Sequence, residues 1–297
     1  MSSRTLRRAC ASLAAVAALT GVAACGGASG SGKSDGDTSG EGGGGLSPLA
    51  ALRTINTKTD SANSAKIEGT TSMGAQGSME MKGSLDWSDG ITGPMTVTFT
   101  DGALADQMAQ VGNTSIEYRY LPNGFYANMG DKFAQQSGGK HWIAYDYDKL
   151  AETGGAAGGV LKDQMQKTTP NQSVKMLLAS GDVKRVGEEK VRGVATTHYS
   201  GTVDVADISA KTAELDEEEV EALRKQLKQA GMTTEKIDIW VDGDNLLVKK
   251  IEEAKMKTGE FSQTVYYSDY GVEVSAEKPA AGDTIDFSEL LNKQPQA

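Results

Sequence analysis

The chain has 297 residues, a formal net charge of −10 at pH 7 and two cysteines, Cys10 and Cys25. Charge of this sign is poorly matched to nucleic acid or to the anionic face of a membrane, so we expect no nucleic-acid partner. Cys10 lies within the N-terminal segment and Cys25 at its end, so no cysteine pair remains in the rest of the chain. We therefore expect no disulfide, and the fold has to be held by its core.

The N-terminal segment has a basic start and an apolar middle. Arg4, Arg7 and Arg8 precede an alanine- and leucine-rich run over residues 9–24, which is too short for a comfortable membrane span. This pattern is typical of a secretory signal with small residues at its cleavage site. Removing the signal changes the formal charge from −10 to −13, because the three arginines leave with it.

The end of this segment, Val22-Ala23-Ala24-Cys25, resembles the lipobox of bacterial lipoproteins. In that motif the thiol carries a diacylglycerol group and the chain is cut before the cysteine. The resemblance implies that residues 1–24 are a lipoprotein signal peptide. It also implies that Cys25 is lipidated and anchors the protein to the extracytoplasmic face of the cell membrane. An ordinary secreted protein is the alternative, and the export route, Sec or twin-arginine, stays open.

A tether and a single domain are predicted after Cys25. Residues 26–46 are nearly all Gly, Ser, Asp and Thr, which cannot bury apolar surface. Residues 25–47 are therefore predicted to be a flexible tether with a root-mean-square reach of about 25 Å. Residues 48–297 are predicted to form one domain.

The domain is predicted to begin with a helix over 48–61, with Ser47 as its N-cap. Apolar residues then alternate with polar ones over 67–73, 79–87 and 95–99, which predicts three consecutive antiparallel strands with one apolar face. Further strands are predicted at 116–121, 125–129, 141–147, 183–188, 194–205, 237–241, 247–256, 261–268, 271–276 and 285–291. Further helices are predicted at 104–110, 160–167, 170–179 and 216–231.

Together these elements predict an α+β domain whose strands follow one another in sequential antiparallel order. Its turn and strand motifs resemble the LppX/LprG family of actinobacterial envelope lipoproteins over roughly residues 48–291. The motifs are Gly181-Asp182-Val183 to Glu188, Gly193 to Gly201, Asp238 to Asp242, and Tyr267 to Gly271. The resemblance implies a fold similar to LolA and LolB, in which a large curved antiparallel half-barrel carries helices on its concave face. It further implies a hydrophobic cavity for acyl chains between sheet and helices.

The cavity candidates are apolar residues at inward strand positions: Met79, Met81, Leu85, Met95, Val97, Phe99, Ile239 and Val241. The helical stripe of Val220, Leu223 and Leu227 is the candidate lid. Methionine side chains adapt to irregular apolar ligands, which suits a carrier. Any single inward residue is nevertheless more often plain core than ligand wall.

No catalytic constellation is evident in the sequence. His141 and His198 are single histidines without metal-ligand spacing, and no nucleophile elbow, P-loop or dinucleotide fingerprint occurs in the domain. We expect no enzyme activity, no cofactor and no metal. Trp87, Trp142 and Trp240 could stack on sugars, but isolated strand tryptophans usually fill cores.

The sequence therefore predicts a membrane-anchored lipoprotein that carries or presents a lipid or lipoglycan by its acyl chains. Each buried methylene contributes about 0.8 kcal/mol, so a long chain binds without polar contacts. An envelope transporter or partner protein would load or unload it. The alternative is an envelope sensor or protein-interaction module of the same fold without a ligand cavity.

Overall fold

The structure, a computed structural model, describes residues 47–152, 169–206, 221, 224, 228 and 231–292. Several predicted features lie outside the described residues: the signal peptide, Cys25, the tether up to residue 46, the helix at 160–167, and most of the helix at 216–231 with the lid residues Val220, Leu223 and Leu227.

Within the described residues, twelve strands and five α-helices have defined bounds. Residues 147–152 are also helical. The strands are β1 (Ser64–Met73), β2 (Ser78–Asp86), β3 (Gly93–Asp101), β4 (Ser115–Leu121), β5 (Gly124–Asn128), β6 (Trp142–Asp146), β7 (Val183–Val191), β8 (Val194–Asp204), β9 (Thr234–Val241), β10 (Leu247–Met256), β11 (Gly259–Ser268) and β12 (Thr284–Asp286). The helices are α1 (Pro48–Ser61), α2 (Gly102–Val111), α3 (Asp131–Ala134), α4 (Gln172–Ser180) and α5 (Phe287–Asn292).

All twelve strands belong to one sheet, in the order β12-β6-β5-β4-β3-β2-β1-β11-β10-β9-β8-β7. Two antiparallel meanders, β1 to β6 and β7 to β11, meet where β1 pairs with β11. Strands β12 and β7 are the two edges, so the sheet is open. β12 pairs with β6 in parallel, and all other strand pairs are antiparallel. The predicted class, a large and mostly antiparallel sheet with helices, is confirmed.

Strand alternation gives the sheet two different faces. Apolar side chains at alternate positions, such as Ile67 on β1 and Val265 on β11, form one core cluster with the buried residues of the helices. We call the helix-bearing side the inner face and the other side the outer face.

Two helices show how the sequence builds this inner layer. The Ser47 side chain accepts a hydrogen bond from the Ala50 amide at 3.3 Å, which confirms the predicted N-cap of α1. Leu52 of α1 is fully buried in the core. On α4, Leu177 lies so close to β8 that a Cβ atom on Gly201 would be 2.8 Å from Leu177 Cδ2. Glycine at this inward position therefore permits the close approach of α4.

Three features of the predicted strand plan are wrong. Residues 271–276 form no strand, and the connection they begin crosses β4, where Arg119 Nη1 donates to the carbonyl of Glu277 at 3.3 Å. The predicted strand at 285–291 is only three residues of β12, because Asp286 Oδ1 accepts from the Ser288 amide at 2.9 Å and starts α5. Strand order is not sequential throughout, because β6 and β7 lie in opposite halves of the sheet.

The β7–β8 hairpin bends over the outer face. Its tip consists of Val191, Arg192 and Gly193, with positive φ at Arg192 (50°) and Gly193 (90°). A register shift between Arg185 and Gly187 interrupts the hairpin, and such bulges bend and twist strands. The tip buries Val191 against Trp240 on the outer face.

Candidate functional site

Six of the predicted cavity residues come together on the inner face. Met79, Met81 and Leu85 lie on β2, and Met95, Val97 and Phe99 lie on the neighbouring β3. Met81 is the direct register partner of Val97, and Met79 that of Phe99. We call these six residues the methionine patch.

Burial divides the patch into two groups. Met79, Met95 and Phe99 are 4 to 6% exposed and belong to the core. Met81, Leu85 and Val97 are only partly buried and border that core. The second group is therefore the part of the patch that an apolar molecule on the inner face could still cover.

The other two described candidates, Ile239 and Val241, lie elsewhere. Both are on β9, four strand steps from β2, which corresponds to about 19 Å at the usual strand spacing. Their side chains are 0% and 2% exposed, and the buried Leu177 of α4 shares their core cluster. They face the same side of the sheet as the methionine patch but do not form one continuous patch with it.

Two glycines at inward positions lie beneath methionine side chains. A Cβ atom on Gly83 would be 3.1 Å from Met95 Sδ, and one on Gly69 would be 3.3 Å from Met81 Cγ. The two methionine side chains thus lie directly over the backbone of these glycines. Methionine is unbranched and flexible, so the partly buried Met81 side chain can adapt its shape over Gly69, whereas Met95 is packed in the core.

An aromatic group, which the sequence analysis missed, continues the inner face beyond the patch. Tyr118 of β4, the register partner of Met95, stacks on Tyr120 with ring centroids 6.1 Å apart. Phe125 stacks on Tyr145 at 4.5 Å, and Tyr145 stacks on Phe287 of α5 at 4.8 Å. Burial raises the pKa of Tyr120 to about 12. In the sequence, the alternation Tyr118-Arg119-Tyr120 could have indicated this aromatic group.

A polar cluster lies on the inner face beneath α4, and the sequence analysis also missed it. Lys250 Nζ is 3.1 Å from Ser173 Oγ and 3.0 Å from Glu252 Oε2, and Ser173 donates to Glu252. Ser173 is fully buried, and the Lys250 and Glu252 side chains are 12% and 11% exposed. Burial raises the pKa of the neighbouring Glu235 to about 8, with a further contribution from Glu252. The cluster attaches α4 to the sheet by polar contacts.

Two pairs of like charges on β10 are the sequence pattern that could have indicated this cluster. Lys249-Lys250 and Glu252-Glu253 are adjacent residues. Because successive side chains of a strand point to opposite faces, one member of each pair has to face the core.

Both histidines have carboxylate partners. His141 Nδ1 lies 2.6 Å from Asp283 Oδ1, and this hydrogen bond raises the pKa of His141. His198 Nε2 lies 2.7 Å from Asp238 Oδ1. Within the described ranges no three His, Cys, Asp or Glu side chains are arranged to hold a metal ion.

Comparison with known proteins finds relatives in two Streptomyces species. It is 56% identical over 248 residues to the Streptomyces griseus "Uncharacterized 31.2 kDa protein in rplA-rplJ intergenic region", covering 83% of this chain and 81% of that one. It is 48% identical over 244 residues to the Streptomyces coelicolor "Putative lipoprotein SCO4650", covering 82% and 76%. The chain belongs to the family of these two Streptomyces proteins. No protein-family model matches the chain.

Solved structures similar to this member of the family include two mycobacterial proteins, the lipoprotein LppX and LprF. LppX of Mycobacterium tuberculosis has a TM-score of 0.47 and 14% identity, covering 77% of this chain and 97% of LppX. LprF of Mycobacterium bovis has a TM-score of 0.45 and 15% identity, covering 79% and 97%. LppX gives its name to the family that the sequence motifs resemble. No helix in the described part of this chain has the length and hydropathy to span a bilayer.

Proposed function

We propose that this protein is a membrane-anchored lipoprotein that binds lipid or lipoglycan acyl chains on the inner face of its sheet, at the methionine patch. The observation that carries the proposal is the partial exposure of Met81, Leu85 and Val97 amid an otherwise buried apolar face. Uncovered apolar side chains in this setting favour an apolar ligand, since covering them removes their surface from water.

The surroundings of the patch suit chains of variable shape. Met81 and Met95 lie over Gly69 and Gly83, which have no side chains of their own beneath the thioethers. A ligand that displaces these thioethers meets backbone already paired within the sheet, so no new polar group loses its partner. The aromatic group beyond β3 extends the apolar surface.

Anchoring and location form the second part of the proposal. The lipobox resemblance at Cys25 and the lipoprotein name of the Streptomyces coelicolor relative support a lipid anchor at the extracytoplasmic face of the cell membrane. In this arrangement residues 1–24 are removed and residues 25–47 hold the domain, residues 48–297, near the bilayer. The last part of the proposal is that Val220, Leu223 and Leu227 form the lid over the bound acyl chain.

Native mass spectrometry of the full chain, purified from its own host under gentle conditions, tests the proposal. We expect a fraction of the protein to carry a noncovalent lipid in addition to any covalent anchor. Val97→Trp fills the space beside Met81 and is expected to reduce that fraction at least about fivefold, since it removes the room for several methylenes. Val194→Trp is the matched control, because Val194 is 42% exposed. Protein without lipid, or equal loading of both variants, contradicts the proposal.

One observation favours a second function. Five of the eight described cavity candidates, Met79, Met95, Phe99, Ile239 and Val241, are buried in the core. A filled inner face would suit an envelope sensor or protein-interaction module. Lipid-free protein that retains a single partner protein in stoichiometric amount would support this function in place of lipid binding.

A further inference from the structure

A groove of about 510 Å³ lies on the outer face, on the opposite side of the sheet from the methionine patch. Its floor is formed mainly by outward side chains of β1, β2 and β3, among them Thr70, Glu80, Thr96 and Thr98. Gly69 and Met81, at inward positions of β1 and β2, also line it. Its volume falls within the range of small-molecule sites. We call it the outer groove.

One wall of the outer groove is built by the hairpin tip. Arg192 Nη1 lies 2.7 Å from Glu68 Oε2, and the Arg192 guanidinium lies 3.8 Å from the centre of the Tyr266 ring. Glu68 also accepts from Lys82 at 2.8 Å. The wall is therefore a closed set of charge pairs that holds the hairpin tip in place beside the floor.

The floor offers side-chain groups for recognition and no backbone groups. β1, β2 and β3 pair with one another across the floor, so their N–H and C=O groups are used within the sheet. Glu80 is exposed, and among the described residues its carboxylate has no hydrogen bond or ion pair. The hydroxyls of Thr70 and Thr96 also point from exposed positions on this face. These groups accept and donate hydrogen bonds at a spacing set by the strands.

Charge and polarity narrow the class of ligand. Two carboxylates, Glu68 and Glu80, face two cations, Lys82 and Arg192, so the lining has no net charge and does not favour an ion. A hydroxyl-rich floor does not suit an acyl chain, which would leave these polar groups without water. A peptide adding as a strand would need unpaired sheet backbone, which the floor lacks.

We infer that the outer groove binds a short neutral carbohydrate chain. Vicinal sugar hydroxyls match a free carboxylate, because both can donate to the two oxygens of Glu80 while the threonine hydroxyls contact the next sugar positions. The carbohydrate would lie across β1, β2 and β3 with the hairpin tip as its side wall. The sheet lies between this site and the proposed acyl-chain site, and Met81 is the residue of the methionine patch that also borders the groove.

Titration calorimetry of the full chain with chitotetraose, cellotetraose and maltotetraose tests the inference. We expect saturable binding of at least one of these sugars. Glu80→Gln is expected to weaken it at least about tenfold, because a hydrogen bond to a charged group is lost. Thr96→Val, which keeps the shape and removes the hydroxyl, is expected to weaken it about threefold or more.

Glu260→Gln is the matched control. Glu260 is exposed on the outer face of β11, six residues from Tyr266 and so about 20 Å along the strand. The Glu260→Gln variant should bind sugar with the same affinity as the unchanged protein. Binding of none of the sugars, equal weakening by Glu80→Gln and Glu260→Gln, or displacement of the sugar by tetra-alanine would overturn the inference. Lipid loading measured on the same Glu80→Gln protein is expected to be unchanged, which separates this site from the inner face.

Discussion

Arg192 and Glu68 are 124 positions apart in sequence and 2.7 Å apart in space. In a flat sheet β8 and β1 would be four strand steps apart, or about 19 Å, so this contact requires the hairpin to bend over the outer face. The bend is what gives the outer groove a wall.

A series of ring and cation contacts supports this bend. His198 stacks on Trp240 at 4.2 Å, and Lys249 Nζ lies 4.1 Å from the centre of Trp240 and 5.7 Å from that of Tyr266. Arg192 covers Tyr266 from the hairpin tip. The hairpin tip is thus joined to Tyr266 of β11 through a side chain, in addition to the backbone pairing of β8 with β9.

Arg192→Ala removes an ion pair and a cation–π contact together. Both charged side chains are partly exposed, so we expect the free energy of unfolding to fall by only about 1 kcal/mol, with a smaller loss at high salt. Urea denaturation at two salt concentrations measures this change. Arg185→Ala, which breaks the exposed pair with Glu188, is the control and should cost less. If Arg192→Ala and Arg185→Ala lower the free energy of unfolding equally, the contact of Arg192 with Tyr266 contributes nothing to stability.

Lys250→Met leaves the Glu252 carboxylate buried without its cation. We expect the free energy of unfolding to fall by about 3 to 5 kcal/mol, as is typical when one partner of a buried pair is removed. Adding Glu252→Gln should recover much of the loss, and urea denaturation of the two single variants and the double variant measures the coupling. Lys249→Met, on the opposite face of the same strand, should cost about 1 kcal/mol through its contact with Trp240. A small effect at Lys250 would mean that water reaches Glu252.

The raised pKa of Glu235 predicts that stability falls as the pH rises. Between its unfolded-state value of 4.5 and its folded-state value of about 8, the folded protein holds a proton that the unfolded chain releases. The free energy of unfolding should therefore decrease over this range. Glu235→Gln should flatten this dependence, whereas Glu273→Gln, at an exposed position outside the strands, should not. Urea denaturation at several pH values measures both slopes, and identical slopes would contradict the assignment.

The raised pKa of His141 predicts a local effect at the C-terminal edge strand. Because the folded-state pKa exceeds 6.5, the Asp283 contact stabilises fully below that pH and is lost as the pH rises through the folded-state value. Hydrogen exchange of Thr284–Asp286, corrected for intrinsic rates, should therefore speed up in alkaline solution. Asp283→Asn should remove this dependence. Protection of β12 that is independent of pH in the unchanged protein would refute the prediction.

Local patterns predicted the individual strands well. Alternation of Met79, Met81, Met95, Val97 and Phe99 with polar residues placed them on one face, and their register pairs confirm that they share it. Such predictions succeed because neighbouring antiparallel strands joined by short turns leave few choices of partner.

Features that depend on distant residues were not predicted. Nothing in the alternation of β1 shows that Thr71 faces Gln263 of β11, 192 positions later, across a hydrogen bond of 3.0 Å. The outer groove needs both that pairing and the bent hairpin, so its residues could not be grouped from the sequence. Ile239 and Val241 were grouped with the methionine patch for the same reason, because the strands between them were unknown.

The pairing of β1 with β11 also determines how the chain can assemble. Each meander contains mostly short-range contacts, so each can fold early, while the long closure that brings β11 to β1 comes late. Cutting the chain between β6 and β7 would leave every strand pair intact. Two separately made pieces, one with β1 to β6 and the other with β7 to β12, should therefore associate and form the complete sheet.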